Sequence, residues 1–299
     1  MSQRQPPPRQ RGGPGPAIRQ RVSSGTAELA AEPGRPGAWT LLVDGTPQSH
    51  VDLGDPAHLE FEYMRWLGHL VDLLAPAGER VRALHLGGGG LTLARYVAAT
   101  RPGSRQLAVE SDGELVEFVR RWLPLRRRGQ AAGPGIRVRV GDARAALARL
   151  GAGSFDLAVA DLFTGAATPA HLTSVEFMTA VARVLAPAGI YAVNVGDGPP
   201  LGHARAQVAT ARAVFPQACL IAEPAVLRGR RFGNLLLAAG GRGLPPPGLA
   251  RLVAADPFPG RLVHGPDLDR FCGGAVPVTD ARARPSPAPP PGFWDRRGG

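Results

Sequence analysis

Hydrophobic and polar positions follow two rhythms along this chain. From 38 to 53 the text AWTLLVDGTPQSHVDL holds two β-rich runs around Asp44-Gly45, a pair that readily takes the positive φ angles of a tight hairpin. From 58 to 74 apolar side chains recur at helical spacing: Leu59, Tyr63, Trp66, Leu67, Leu70 and Leu74. Pro76 and Gly78 end that helix. Beyond it, short apolar runs alternate with helical stretches. Strands are predicted at 81–86, 106–109, 136–140, 156–160 and 190–195. Helices are predicted at 91–100, from the second strand to about 122, and at 143–150, 174–185 and 201–215. Runs at 218–222 and 234–238 follow with no room for a crossover helix, so they should pair antiparallel.

This alternation predicts a Rossmann-like α/β domain over 79–280, with a mostly parallel seven-stranded sheet whose last strand is antiparallel. A small N-terminal unit over 37–78, a β-hairpin and a helix, precedes it. Residues 1–36 are rich in Pro, Gly, Arg and Gln, and 281–299 read alike. Both are expected to be disordered tails, although Phe293 and Trp294 have the apolar surface to dock.

Composition narrows the function classes. The 299 residues carry a formal net charge of +11, and every basic side chain other than histidine is arginine. Many of these lie in the tails (Arg4, Arg9, Arg11, Arg19, Arg21, Arg296, Arg297), with few aromatic residues interleaved. Genome-wide bias toward arginine explains them better than a nucleic-acid surface, so no nucleic-acid partner is expected. Cys219 and Cys272 stand far apart, without a CxxC or Cys/His cluster, so free thiols and no metal are expected. No apolar leader and no run of 18 apolar residues occurs. A cytoplasmic protein without a membrane partner is the expectation.

In open α/β sheets the ligand lies beyond the carboxyl ends of the strands. Gly87-Gly88-Gly89-Gly90 follow the first strand, Glu110 ends the second, Asp142 follows the third and Asp161 follows the fourth. Glycines let a backbone approach a ligand closely. Glu110, about twenty residues after the glycines, is placed to accept both hydroxyls of a ribose. Asp142 suits either an adenine amino group or the N-cap of the next helix. Asp161 stands where a reacting group would reach, with Asn194 near it. The glycines are consecutive rather than spaced as G-x-G-x-x-G, which fits a methionine-derived nucleoside better than a dinucleotide.

With these residues in place, the chain resembles the spermidine synthase family of polyamine aminopropyltransferases, in its divergent bacterial spermidine synthase-like branch, from about Leu41 to Asp280. Asp44-Gly45-x-x-Gln48-Ser49 resembles the DG-x-x-Q-S signature, whose glutamine touches the nucleoside. Tyr63 and His69 match the tyrosine and the later histidine of the Y-H-E-M-x-x-H-L helix. Gly87, Gly88 and Gly89 match the start of GGGDG. Glu110, Gly141-Asp142 and Asp161 match the ribose, adenine and catalytic-loop carboxylates, and Pro277-Val278-Thr279-Asp280 resembles the closing P-x-T-D. The resemblance implies the S-adenosylmethionine-dependent methyltransferase fold and decarboxylated S-adenosylmethionine, or S-adenosylmethionine itself, as co-substrate. It also implies Asp161 as catalytic residue, Gln48, Gly87–Gly89, Glu110 and Asp142 around the nucleoside, and Tyr63 and His69 toward an amine acceptor. The family commonly dimerises, which makes a homodimer an expectation.

The departures fall on the acceptor side. Gly90 stands at the aspartate of GGGDG, Met64 and Arg65 at the helix His and Glu, and Asp161-Leu162-Phe163-Thr164-Gly165 at D-S-S-D-P. Acids that would hold a polycation are thus missing. Without the GGGDG aspartate, the carboxylate of intact S-adenosylmethionine meets no like charge. The sequence leans toward an enzyme and leaves three readings open: aminopropyl transfer to an amine, methyl transfer to another acceptor, or nucleoside binding without catalysis.

Overall fold

The structure is a computed structural model that describes residues 17–125, 135–241, 243–290 and 293. The chain opens with β1 (Ile18–Val22), β2 (Gly25–Ala31), β3 (Ala38–Val43) and β4 (Thr46–Asp52), an antiparallel sheet in that order. Asp44 and Gly45 both take positive φ, 46° and 75°, between β3 and β4, as the hairpin pattern requires. β1 and β2 occupy part of the stretch that composition assigned to a disordered tail. Val22, Ala27 and Leu29 are buried against Leu115, Phe118, Val119 and Leu123, and that packing overrides a polar, arginine-rich composition. Residues 1–16 lie outside the described residues.

After α1 (Glu62–Leu74) the main sheet is laid down by β5 (Arg82–Leu86), α2 (Thr92–Thr100), β6 (Arg105–Glu110), α3 (Gly113–Trp122), β7 (Ile136–Val140), α4 (Ala143–Ala148), β8 (Phe155–Ala160), α5 (Val175–Val184) and β9 (Leu185–Asp197). It is completed by α6 (Gly202–Val214), β10 (Gln217–Ala222), a short α7 (Pro224–Leu227), β11 (Gly233–Gly240), α8 (Leu249–Ala255), β12 (Arg261–His264) and α9 (Gly265–Cys272). The strand order is β12-β10-β11-β9-β8-β5-β6-β7, eight strands rather than the seven expected. The additional strand, β12, is four residues long and pairs antiparallel with β10 at the edge, too short to announce itself in the apolar pattern. β5 to β9 are parallel, and β11 runs antiparallel to both β9 and β10.

Apolar clusters cover the two faces of the sheet. One joins it to α4, α5, α6 and α9, with Phe177, Val181 and Tyr191 fully buried. The other joins it to α1, α2 and α8 around Trp66, Leu67 and Leu70. Cys219 and Cys272 are buried free thiols, and burial pushes Cys219 up to about 12. Among the described residues no helix is long and apolar enough to cross a membrane.

The chain runs outward from β5 through β6 to β7, then returns to β8 on the other side of β5. That reversal opens a crevice at the carboxyl ends of β5 and β8. The N-terminal sheet is tied to its rim by Asp112, whose carboxylate caps α3 through Leu115 N–H and accepts from the backbone and hydroxyl of Ser24 at 2.7 and 2.6 Å.

The C-terminal stretch from 281, expected to be disordered, is packed through its described residues, with Ala283 and Ser286 buried. Residues 294–299 lie outside the described residues. Asp280 anchors the stretch by a bidentate contact with Arg144 at 2.8 and 2.6 Å, and that hydrogen bonding holds its carboxyl at about 2. A depressed carboxylate stabilises the fold above its unfolded value and loses that stabilisation as pH falls through the folded one. The pair is partly exposed, so Asp280→Asn should cost about 1 kcal/mol or less in urea unfolding at neutral pH. The gap to wild type should close as the pH falls from the usual 3.8 toward about 2. An equal gap at both ends of that range refutes the assignment.

Candidate functional site

The crevice is a cavity of about 1350 Å³, walled by β4, the start of α1, the glycine loop and the ends of β6, β8, β9 and β11. At its centre the loops after β5 and β8 touch. Gly87 has φ +89°, and a Cβ there would stand 2.1 Å from the Asp161 carbonyl oxygen. Only glycine allows both features.

Glu110 ends β6 and turns its carboxylate back over this loop. Oε2 accepts from Gly88 N–H at 2.8 Å and Gly89 N–H at 3.2 Å, while Oε1 accepts from Asp112 N–H at 3.0 Å and Ser111 Oγ at 3.3 Å. Behind the loop, buried Arg95 donates through Nε to the Gly90 carbonyl at 3.0 Å and through its outer nitrogens to Leu123 and Pro124. His85 lies beneath the loop, bonded to Gln106, and burial lowers it to about 4, so it is neutral.

Asp161 follows β8 and is held from two sides. Tyr63 OH donates to Oδ2 at 3.0 Å and Asn194 Nδ2 donates to Oδ1 at 3.0 Å. Burial raises its pKa, the charge of Glu110 adds to the rise, and the two donors oppose it. Burial and the neighbouring Asp161 raise Tyr63 well above the usual phenol value, so it remains a donor. With its amide nitrogen committed to Asp161, Asn194 presents a buried Oδ1 that has no partner among the described residues.

The sequence-derived residues divide as follows. Gly87, Gly88, Gly89, Glu110, Tyr63 and Asp161 meet in one site, and Asn194 joins them. Gln48 lines the wall on β4, its amide donating weakly to Thr46 O at 3.4 Å. Asp142 also lines the cavity, but its oxygens are engaged: Oδ1 caps α4 through Ala145 N–H at 2.8 Å and Oδ2 meets His171 Nε2 at 2.9 Å. The capping role is the one the structure shows, and an adenine contact would have to share Oδ2 with His171. His69 does not belong to the site. It bonds Asp256 at 3.0 Å beyond α8. Six residues separate it from Tyr63, which turns an α-helix through about 600° and puts the two on different faces.

Sequence reasoning missed a buried acid in the cavity wall. Glu62, one residue before Tyr63, is buried in the wall and accepts from Asn234 Nδ2 at 3.1 Å. Its signal was its position at the start of α1, whose first turn the fold aims at the crevice. Phe163, Phe232 and Phe258 line the same cavity, and Arg231 pairs there with Glu223. Among the described residues seven carboxylates and one guanidinium line the cavity, in a protein of net charge +11.

Comparison with known proteins agrees with this geometry. The model of the spermine/spermidine synthase domain matches residues 60–224. A probable spermidine synthase from Corynebacterium glutamicum is 32% identical, with a TM-score of 0.80 over 89% of this chain and 96% of its own. The chain belongs to the spermidine synthase-like family. A spermidine synthase from Thermotoga maritima (19% identity, TM-score 0.57, 80% of this chain and 77% of its own) shares the fold. So does a spermidine synthase in complex with the transition state analogue AdoDATO (18% identity, TM-score 0.55, the same 80% and 77%). The search of curated proteins gave no match.

Two substitutions test the placement. Gly87→Ala should lower stability by roughly 2 kcal/mol or more, because the left-handed backbone and the Asp161 carbonyl both resist a side chain. Thermal unfolding reads it, and a wild-type midpoint would show that the loops do not meet. Tyr63→Phe should lower the pKa of Asp161 no further and raise it instead, since a donor to the carboxylate is lost; carbon-13 NMR of the Asp161 carboxyl measures the shift.

Proposed function

We propose that this protein transfers an aminopropyl group from decarboxylated S-adenosylmethionine to a small amine. The observation that carries the reading is the pair of acceptors, Asp161 and the unpartnered Asn194 Oδ1, side by side in a buried wall. Two adjacent acceptors call for a group with more than one N–H, and an amine provides it. The acidity of the cavity supports the same reading. Carboxylates focused in a cleft concentrate cations, and both a sulfonium and an amine are cationic in solution. The family relatives support it too: one is described as a probable spermidine synthase, and another holds the transition state analogue AdoDATO.

The residues fit a sulfonium nucleoside. The glycine loop brings bare backbone to the cavity, and Glu110 stands over it. Ribose hydroxyls would replace the two longest contacts of Glu110, those from Gly89 and Ser111 at 3.2 and 3.3 Å. The bound sulfonium supplies an activated methylene and a neutral leaving group. The protein supplies placement and a proton acceptor. Asp161 takes a proton from the amine, whose lone pair then forms the C–N bond while the C–S electrons leave with methylthioadenosine. Burial makes Asp161 a stronger base than an exposed aspartate, and Tyr63 and Asn194 keep it aimed.

A second reading has its own observation. Gly90 packs against Ser49 and Val51, where a Cβ would stand 2.9 and 2.8 Å from side-chain carbons, so no acidic side chain fits there to repel a carboxylated cofactor. It supports intact S-adenosylmethionine as co-substrate and methyl transfer as the alternative reaction.

Incubating the full chain with each cofactor form and a panel of amines, with products read by mass, separates the readings. Aminopropylated amine and methylthioadenosine are expected. A methylated product instead overturns the proposal, and binding without turnover assigns a nucleoside-binding protein. Asp161→Asn should lower kcat by about 10²–10⁴ and abolish an acid limb centred above the usual aspartate value of 3.8. Glu110→Ala should weaken methylthioadenosine by about 1–3 kcal/mol in calorimetry. Unchanged affinity would displace the ribose from this end of the cavity.

A further inference from the structure

The C-terminal segment after α9 is a part of the site that the α/β pattern does not announce. From its anchor at Asp280 the chain runs back over the loop that joins Asp161 to α5. Ser174 Oγ donates to Asp280 at 2.5 Å, and Val175 N–H donates to the Val278 carbonyl at 2.8 Å, so the segment is fastened to the start of that helix. Six residues further on, Ser286 closes a two-point clamp. Its N–H donates to the Thr168 carbonyl at 3.0 Å, and its hydroxyl accepts from the Thr168 N–H at 2.8 Å. Ser286 and Thr168 are both buried. The clamp therefore satisfies both backbone groups of a residue in the catalytic loop, between a short bridge joining Thr164 and Ala167 and the 3-10 turn at Ala170–Leu172.

Beyond the clamp the sequence is Pro287-Ala288-Pro289-Pro290. Proline fixes φ near −65° and favours a stiff extended arm. That arm carries Pro289, Pro290 and Phe293 into the lining of the cavity. Phe293 N–H donates to the Pro290 carbonyl at 3.1 Å, and the ring meets Phe232 edge to face, centroids 5.4 Å apart. Phe232 precedes β11, which lies three strands from β5 and its glycine loop. The outer wall of the acceptor half is thus supplied from the far end of the chain.

We propose that residues 283–290 strap the catalytic loop through Ser286 and Thr168, and that Phe293 against Phe232 ends the acceptor compartment and limits the length of the amine it admits. The length limit rests on the reading of this half as an amine site, whereas the strap does not. A chain ended after Arg284 loses the clamp and the arm together. Ser286→Ala removes the hydroxyl acceptor, and Phe293→Ala shortens the wall without touching the clamp.

Two measurements decide the proposal. Hydrogen exchange of the full chain, with no substrate present, reads the strap: amides of 162–168 should lose protection in the truncated chain and in Ser286→Ala, while the β8 amides keep theirs. Initial rates with n-alkylamines and α,ω-diamines of increasing length read the wall. Phe293→Ala should shift kcat/KM toward longer amines by about tenfold relative to the best substrate of the wild type. Unchanged exchange at 162–168 overturns the strap, and an unchanged length profile overturns the wall. If the intact protein turns over no amine, the reading of the site fails and the length limit falls with it, while the exchange result still decides the strap.

Discussion

Gly87 and the carbonyl of Asp161 lie so close that no side chain can stand between them. That approach follows from the reversal of strand order at β5 and β8, and much of the site hangs on it. It places the glycine backbone and the buried carboxylate of Asp161 in one crevice. It brings Glu110, from the neighbouring strand, over Gly88 and Gly89. It also sets Asp161 where α1 can deliver Tyr63 from above and β9 can deliver Asn194 from the side. Five elements, β5, β6, β8, β9 and α1, converge on a point where one residue has no Cβ.

Charge is distributed against the average of the molecule. The chain is strongly basic, yet its cavity is acidic. Many arginines of the folded part are spent on the scaffold: Arg95 and Arg101 are buried on backbone carbonyls, and Arg82 and Arg144 pair with aspartates. Carboxylates in the crevice keep low-dielectric walls behind them, which strengthens their pull on a cation. Asp161 shows the other consequence of those walls. Burial raises its pKa while two donors restrain it.

The family's acceptor acids are absent from their usual positions, and the crevice compensates from other sources. Glu62 enters from the first turn of α1, with Asn234 of β11 fixing it. Aromatic rings from the loop after β8 and the segment before β11 replace polar groups, and Phe293 joins them. The crevice is acidic and partly aromatic in its lining, so shape and apolar length act beside charge on whatever enters it.

The alternation of strands and helices was legible because each element needs only its own period to declare itself. The residues at the strand ends, Glu110 and Asp161, were legible for the same reason: the end of an apolar run marks them. The hairpin at Asp44-Gly45 needed two residues. What depended on distant partners was not legible. β1 is mostly polar and β2 mostly small residues, and their burial exists only once α3 is beside them. Asp142 reads alike as ligand or cap until His171 and Ala145 N–H take its oxygens. His69 shares a helix with Tyr63 but not a face toward the crevice. Glu62, Asn234 and Phe293 come from remote parts of the chain and share a wall only after the sheet has closed. The sequence by itself therefore determined the Rossmann-like order and the carboxylates that end its strands, because those are local properties of periodic segments. The tertiary structure alone decided which carboxylates remain available and what encloses them, because hydrogen-bond partners and burial are set by contacts far apart in the chain.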